Sequence, residues 1–235
     1  MSVEPAWMQA NWGNLAMVSW LVDPALVQGK MPPGCTLDLW EGAAALSLVG
    51  VEFSNVVVKG IRWPWHNHFP ELNLRTYAQG PQGPGVVFLG ELVPKLLVAR
   101  MARGIYGEPY ENGRIWLEKR EGGREPEVAY VWGPGAGTFR FSLRAEARPM
   151  PVGKGTLEEF LLDRSRGYNR FRGGTTYKVM HQPWTMRAPL HYAVDGATGA
   201  PFGPDFGPVL QGAAASVLFS DGSAVQVGYP ARMGA

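Results

Sequence analysis

Residues 69–77 read FPELNLRTY. An extended chain alternates its side chains with a period of two, so Glu71, Asn73, Arg75 and Tyr77 share one face and Leu72, Leu74 and Thr76 the other. The leucine face belongs in a core. The polar face has two readings, and the architecture turns on which one holds. In the first it meets water, and the segment is a strand of a half-exposed sheet. In the second it lines the inside of a barrel, where Arg75 can clamp a carboxylate with its forked guanidinium and Glu71 can move protons.

On both sides of this stretch the chain reads as short strands. With 31 glycines and 20 prolines in 235 residues, turns recur too often for long helices. Residues 43–59 (AAALSLVGVEFSNVVVK) predict a long strand bent or bulged at Gly50. The apolar run 15–22 predicts a strand ending at Asp23-Pro24, which caps a short helix over 25–29. Further strands are expected at 70–79, 85–91, 113–120, 127–133, 138–147, 175–181, 189–194, 213–219 and 224–229. Ser220-Asp221-Gly222-Ser223 predicts a tight hairpin between the last two. QGPQGPG (79–85) and GPGAG (133–137) predict looser turns. Helices are expected at 92–105, where Leu92, Leu96, Leu97, Met101 and Ile105 recur at three and four, and at 156–164, where Thr156 and Glu159 form a capping box. The expected class is mainly β with a few helices (α+β), in one domain spanning 1–235.

Composition excludes several classes. The 22 basic and 20 acidic residues interleave, so no block of charge points to nucleic acid or a membrane surface. Cys35 is the lone cysteine, which rules out an internal disulfide and a cysteine zinc site. Glu4 and Trp7 stand where a secretory signal would be basic and then apolar, and no apolar run approaches the roughly 20 residues of a spanning helix. A cytoplasmic protein without a membrane partner is expected. No phosphate-binding loop, dinucleotide glycine fingerprint or Gly-x-Ser-x-Gly elbow is present.

His66 and His68 share a face if extended, but no second close pair of ligands accompanies them, so no metal is expected. His181, in KVMHQPWTM, falls near a rim where Pro183 and Trp184 end a strand; it is either a packed histidine or a candidate acid or base. Arg164, Arg166, Arg170 and Arg172 interleave with Tyr168 and Phe171. That pattern suits stacking on single-stranded nucleic acid, but a helix end followed by an exposed hairpin strand explains it as well and is preferred. Most of the nine tryptophans are expected in the core or an interface. Trp63-Pro64-Trp65 is the exception, placed to cover a pocket entrance.

The order of these segments resembles a family of conserved bacterial proteins of unknown function typified by YqjF. The resemblance runs through Trp20 with Val22-Asp23-Pro24, Pro32-Pro33-Gly34, Trp40-Glu41-Gly42, FPELNLRTY, Pro84-Gly85-Val86, Ile105-Tyr106, Pro109-Tyr110, Gly155-Thr156-Leu157-Glu158, and His181, Pro183 and Trp184. That family is similar to acetoacetate decarboxylase. The similarity implies a closed, cone-shaped β-barrel with a small-molecule cavity and peripheral helices. Phe69-Pro70-Glu71 matches the decarboxylase segment that carries an active-site acid, so Glu71 is the position carried over.

The decarboxylase lysine, which follows the helix and forms a Schiff base, has no counterpart: IYGEPYENGR contains none, and Lys95 at the helix start is expected to face solvent. The decarboxylase arginine expected near the N-terminal strand falls close to Trp12 and is also missing. The expected function is therefore a pocket for an anionic or carbonyl ligand, with no cofactor. Glu71 and His181 are the candidate catalytic residues. Arg75, Asn73, Tyr77, Tyr106, Tyr110 and Trp184 are the candidate ligand-binding residues. A non-catalytic binding module is the alternative, nucleic-acid binding ranks third, and self-association through exposed tryptophans is expected.

Overall fold

The computed structural model describes residues 6–120, 124–134 and 138–233. In chain order the elements begin with β1 (Ala6–Val22), α1 (Ala25–Gln28), β2 (Thr36–Leu37), β3 (Leu39–Trp40), β4 (Ala43–Val58), β5 (Phe69–Gly80) and β6 (Gly83–Val93). Then come α2 (Leu96–Ile105), β7 (Tyr110–Asn112), β8 (Ile115–Lys119), β9 (Glu127–Trp132), β10 (Phe139–Met150) and α3 (Leu157–Leu162). The last are β11 (Arg166–Asn169), β12 (Thr175–His181), β13 (Met186–Asp195), α4 (Gly207–Leu210), β14 (Ser216–Gly228) and β15 (Ala231–Arg232).

Seven of these strands close on themselves in the order β1-β4-β5-β6-β11-β12-β14 and back to β1. All the pairings around this ring are antiparallel except β6 with β11. The barrel is built, as the resemblance implied. β14 belongs to two sheets: its end at Val225–Val227 pairs with β12, while Phe219 and Ser220 pair with β13. Through β13 the sheet continues to β10, β9 and β8. This second layer covers the barrel wall, burying Leu46, Leu48, Leu72 and Leu74 against Tyr130, Phe141 and Leu143. Strand β5 is thus buried on both faces: its leucines meet the outer sheet and its polar residues point into the barrel. The water-facing reading of Glu71, Asn73, Arg75 and Tyr77 is overturned, because the wall has a covering layer that period-two alternation cannot reveal.

Several expectations are corrected. The Asp221-Gly222 hairpin does not form; β14 runs straight through it, paired with β1 from Ser216 to Gly228. Gly222 has φ +95° and a Cβ there would collide with the Trp12 carbonyl, so the position requires glycine without a turn, and Asp221 is held by Arg187. The tight hairpin lies instead at Pro81-Gln82, where Gly80 pairs with Gly83. Gly50 sits in regular register with Leu72, while the bulge is in β1 opposite it, at Asn14 with φ +49°. The glycine is needed because the Tyr130 ring lies on it. The 92–105 helix begins only at Leu96, since Pro94 removes a donor and Leu92 and Val93 still pair as strand. Lys95 is half-buried just before it.

Segment 166–169 is a buried strand, not an exposed one. Arg164 pairs with Asp38, Arg166 with Gln82, and Arg170 with the Gly29 carbonyl. The threonine half of the capping box is as expected, the Thr156 hydroxyl accepting from Glu159 N–H, while Glu159 reaches one residue further back and accepts from Gly155 N–H. Asp23 accepts from Ala25 N–H at the start of α1. Residues 135–137 of the GPGAG turn lie outside the described residues. No helix among the described residues is long and apolar enough to cross a membrane.

Candidate functional site

The interior of the barrel holds a cavity of about 160 Å³. Its walls are mostly apolar and aromatic, from Trp7, Trp12, Phe53, Phe69, Tyr106 and Tyr177, with α2 adding Val98 and Met101. Into this apolar space three buried carboxyl groups project, those of Glu71, Glu91 and Glu108, together with the guanidinium of Arg75.

Glu71 comes from the inner face of β5. Its Oε2 accepts from the Tyr110 hydroxyl at 2.7 Å and its Oε1 from the Asn73 amide at 2.9 Å. Burial pushes its pKa up to about 7, against the opposing pull of those two bonds and of the Arg75 charge. Glu108, between α2 and β7, accepts from the Asn169 amide at 3.1 Å and also bonds Tyr177. Burial raises it to about 7 as well, with the Glu71 charge adding to the rise. Glu91, on β6, is pushed well above the ordinary carboxylate range by burial and by the charges of Glu108 and Glu71. The hydroxyls of Tyr110 and Tyr177, buried beside these acids, are pushed well above their usual range.

Arg75 is only 8% exposed, yet no carboxylate lies within ion-pair distance of it among the described residues. Its Nη2 reaches the Met17 sulfur at 3.3 Å, its Cζ stands 5.9 Å from the Tyr77 ring centre, and its Nε–H has no partner. The indole N–H of Trp12, also on the cavity wall, is likewise unpartnered.

The predicted site residues are mostly brought together. Glu71, Arg75, Tyr106, Tyr110, His181 and Trp184 all line the cavity. Asn73 and Tyr77 do not: Asn73 supports Glu71, and the Tyr77 hydroxyl is spent on Ser47, which bonds Ser19 in turn. His181 stacks on Trp184 with ring centres 4.4 Å apart, and its Nδ1 meets the Gln182 carbonyl. Both rings also face a second, more open hollow of about 570 Å³ bordered by Asp163, Lys178 and Pro183. They therefore stand at the mouth of the barrel. Trp63 and His66 flank the cavity as the pocket-entrance reading expected, and Trp65 is 84% exposed. His66 and His68 part company, one bonded to the Pro64 carbonyl and the other to Glu52. No set of side chains among the described residues could hold a metal ion.

Glu91, Glu108, Tyr177 and Asn169 were not anticipated. Val86 and Phe88 point inward, and strict alternation would send Gly90 inward and Glu91 out. A bulge in β6 between the Leu74–Gly90 and Arg75–Phe88 pairs reverses that parity, so Glu91 faces the cavity opposite Asn73. The segment after α2, where the resemblance would put a lysine, supplies Glu108 and Tyr110 instead. No lysine is among the residues lining the cavity.

The model of a family of uncharacterized conserved proteins, DUF2071, matches residues 9–224. The chain belongs to the DUF2071 family. This DUF2071 chain is 26% identical over 196 residues to the uncharacterized protein YqjF of Bacillus subtilis, covering 82% of this chain and 81% of that one. Among solved structures it is similar to the acetoacetate decarboxylase of Legionella pneumophila, with TM-score 0.71, 12% identity, and coverage of 99% and 89% of the two chains. An acetoacetate-decarboxylase-like enzyme from Sphingomonas wittichii gives 0.68 at 13% identity, covering 97% and 93%. The enduracididine biosynthesis enzyme MppR complexed with pyruvate gives 0.66 at 15% identity, covering 99% and 92%. At such identities the likeness establishes the acetoacetate-decarboxylase-like fold of this DUF2071 chain, and its chemistry has to be argued from its own residues.

Proposed function

We propose that this DUF2071 protein takes up a small carboxylate or carbonyl compound inside the barrel and performs acid–base chemistry on it without a Schiff base. The observation that carries this reading is Arg75. A buried guanidinium with no carboxylate at ion-pair distance is costly, and a ligand carboxylate or carbonyl oxygen would supply that contact. Glu71 supplies the second half. With its pKa raised to about 7, it can both give and take a proton near neutral pH, which general catalysis requires. Tyr110 holds its carboxyl in place. His181 at the mouth is the other candidate proton carrier. A similar barrel complexed with pyruvate supports the size and polarity of the ligand. With no lysine on the wall, the covalent decarboxylase route has no amine to start from.

A second reading, binding without turnover, draws on that same missing nucleophile. The reading includes a reducing, cytoplasmic setting, consistent with the lone Cys35, and self-association through the exposed Trp65 loop.

The test is a thermal-shift screen of small oxo acids, hydroxy acids and aldehydes on the native chain and on Arg75→Ala. A ligand at 100 times its Kd stabilises by about 2.7 kcal/mol. Shifts present in the native chain and lost in Arg75→Ala are expected, and turnover assays with the same compounds then separate enzyme from binder. A folded native chain that shifts with none of them refutes the pocket reading.

A further inference from the structure

Arg75 accounts for only one part of the cavity's chemistry; Arg164 is paired with Asp38 and Arg166 with Gln82, and two of the carboxyls on the wall have oxygens to explain. Glu91 and Glu108 both line the cavity, both are buried, and each has an Oε2 atom without a hydrogen-bond partner. Several of the nearby protein donors are already committed, the Tyr177 hydroxyl to Glu108 among them. The Tyr110 hydroxyl donates to Glu71, the Asn169 amide to Glu108 Oε1 and the Tyr106 carbonyl, and the Tyr106 hydroxyl to the Gly228 carbonyl. The two histidines on the cavity wall bond backbone carbonyls through Nδ1. Beyond Tyr177 beside Glu108 and Tyr110 beside Glu91, the two Oε2 atoms have no hydrogen-bond partner among the described residues, and buried polar groups left in that state are exceptions that call for a cause.

A simple oxo acid does not answer them. It would satisfy Arg75 and bring a further negative group among three carboxyls. An ammonium, amidinium or imidazolium group would answer them, since each offers several N–H donors and a positive charge. The aromatic wall favours the same choice: Tyr106 packs edge-on against Trp7 at 5.0 Å and Tyr177 at 4.7 Å, and aromatic faces attract cations. Space sets the size. A cavity of about 160 Å³ compares with the roughly 150 Å³ that accommodates benzene, so a ligand of roughly six to eleven non-hydrogen atoms fits if its tail extends toward the mouth.

We infer that the ligand is bifunctional, with a carboxylate or carbonyl group held by Arg75 and a nitrogen-centred cation or N–H donor group held by Glu91 and Glu108. This rests on the barrel-pocket reading and narrows it from small carbonyl compounds in general to amino-, amidino- or imidazolyl-substituted ones.

Calorimetric titration with two matched pairs tests it: 5-aminolevulinate against levulinate, and 3-(imidazol-4-yl)propanoate against 3-phenylpropanoate. The nitrogen-bearing member of each pair is expected to bind at least tenfold more tightly. Glu91→Gln and Glu108→Gln, which keep the side-chain shape, should erase that preference, while Glu111→Gln on the exposed side of β7 should keep it. Arg75→Met should weaken both members. Equal or tighter binding of the nitrogen-free members, or a preference that survives both glutamine variants, overturns the inference and leaves the pocket reading intact. Binding of none of the four, combined with a blank oxo-acid screen, overturns both.

Discussion

Three carboxyl groups and one guanidinium share a space from which water is largely excluded, and the consequence can be measured without knowing the ligand. Glu71 and Glu108 are raised from 4.5 to about 7, and Glu91 lies well above the ordinary range, chiefly through burial. Between pH 4.5 and 7 the folded chain therefore holds protons that the unfolded chain has released. The stability linked to these groups is fully present below pH 4.5 and is lost as pH rises through 7, each pKa unit being worth about 1.4 kcal/mol. Glu52 and Glu118 are lowered, so their contribution has the opposite sign but is lost only as pH falls below 4.5. Urea denaturation at pH 5 and pH 8 should find the native chain less stable at pH 8. Glu71→Gln or Glu91→Gln should flatten that difference; an unchanged slope would mean that the carboxyls ionise freely inside the fold. Glu71 and Arg75 could be placed in the site from sequence because β5 keeps a strict period of two through FPELNLRTY. Glu91 could not, because one extra residue in β6 reverses its face, and Glu108 could not, because it sits on a loop where no period applies.

Elements show the same division between what local chemistry dictates and what packing imposes. The threonine cap at Thr156, the proline-capped α1 and strand β12 at 175–181 could be read from the chain because their causes lie within a few residues. The Asp221-Gly222 pair misled because the reason for its glycine is distant: the Trp12 carbonyl of β1 leaves no room for a Cβ, and φ is +95°. A local turn signal and a close crossing of backbones demand the same residue. Gly222→Ala should accordingly destabilise by about 1–3 kcal/mol or more, through strain at positive φ and overpacking. Gly104, in α2 with open space around its Cα, provides the contrast. Gly104→Ala should stabilise by about 0.5–1 kcal/mol, because alanine loses less backbone entropy in a helix. Opposite shifts of the denaturation midpoint for the two variants check both claims; a harmless Gly222→Ala would show that the crossing can relax.

At the scale of the molecule, the barrel is unevenly sewn. β1 pairs with β4 and β14 along nearly its whole length, and β5 is held by long ladders to β4 and β6. The hairpin of β11 and β12 closes the ring with far less: Gly167 with Val86 on one side, and Val179, Met180 and His181 with Val227, Gln226 and Val225 on the other. Side chains reinforce the first seam, with Tyr168 packed onto Gly80 and Gly85 and its hydroxyl donating to the Gly83 carbonyl. The second seam has a short ladder, flanked by the Trp184 indole donating to the Ser223 hydroxyl and the Tyr106 hydroxyl to the Gly228 carbonyl, and it borders the mouth where His181 stacks on Trp184. Protein segments open locally with free energies that follow their bonding, and the thinnest seam opens first. The Met180 amide of β12, within that seam, should therefore exchange hydrogen for deuterium well before the amides of β4 and β5, whereas the Val179 N–H is held separately by the Ser165 carbonyl. A ligand bridging Arg75 on β5 and the acids beside Tyr177 on β12 ties the two sides of the ring together, so it should slow exchange in β12 while leaving β4 unchanged. Uniform exchange across β4, β5 and β12 in the free protein would show that the ring opens only as a whole, and that a ligand must enter past the Trp63 loop without parting the strands.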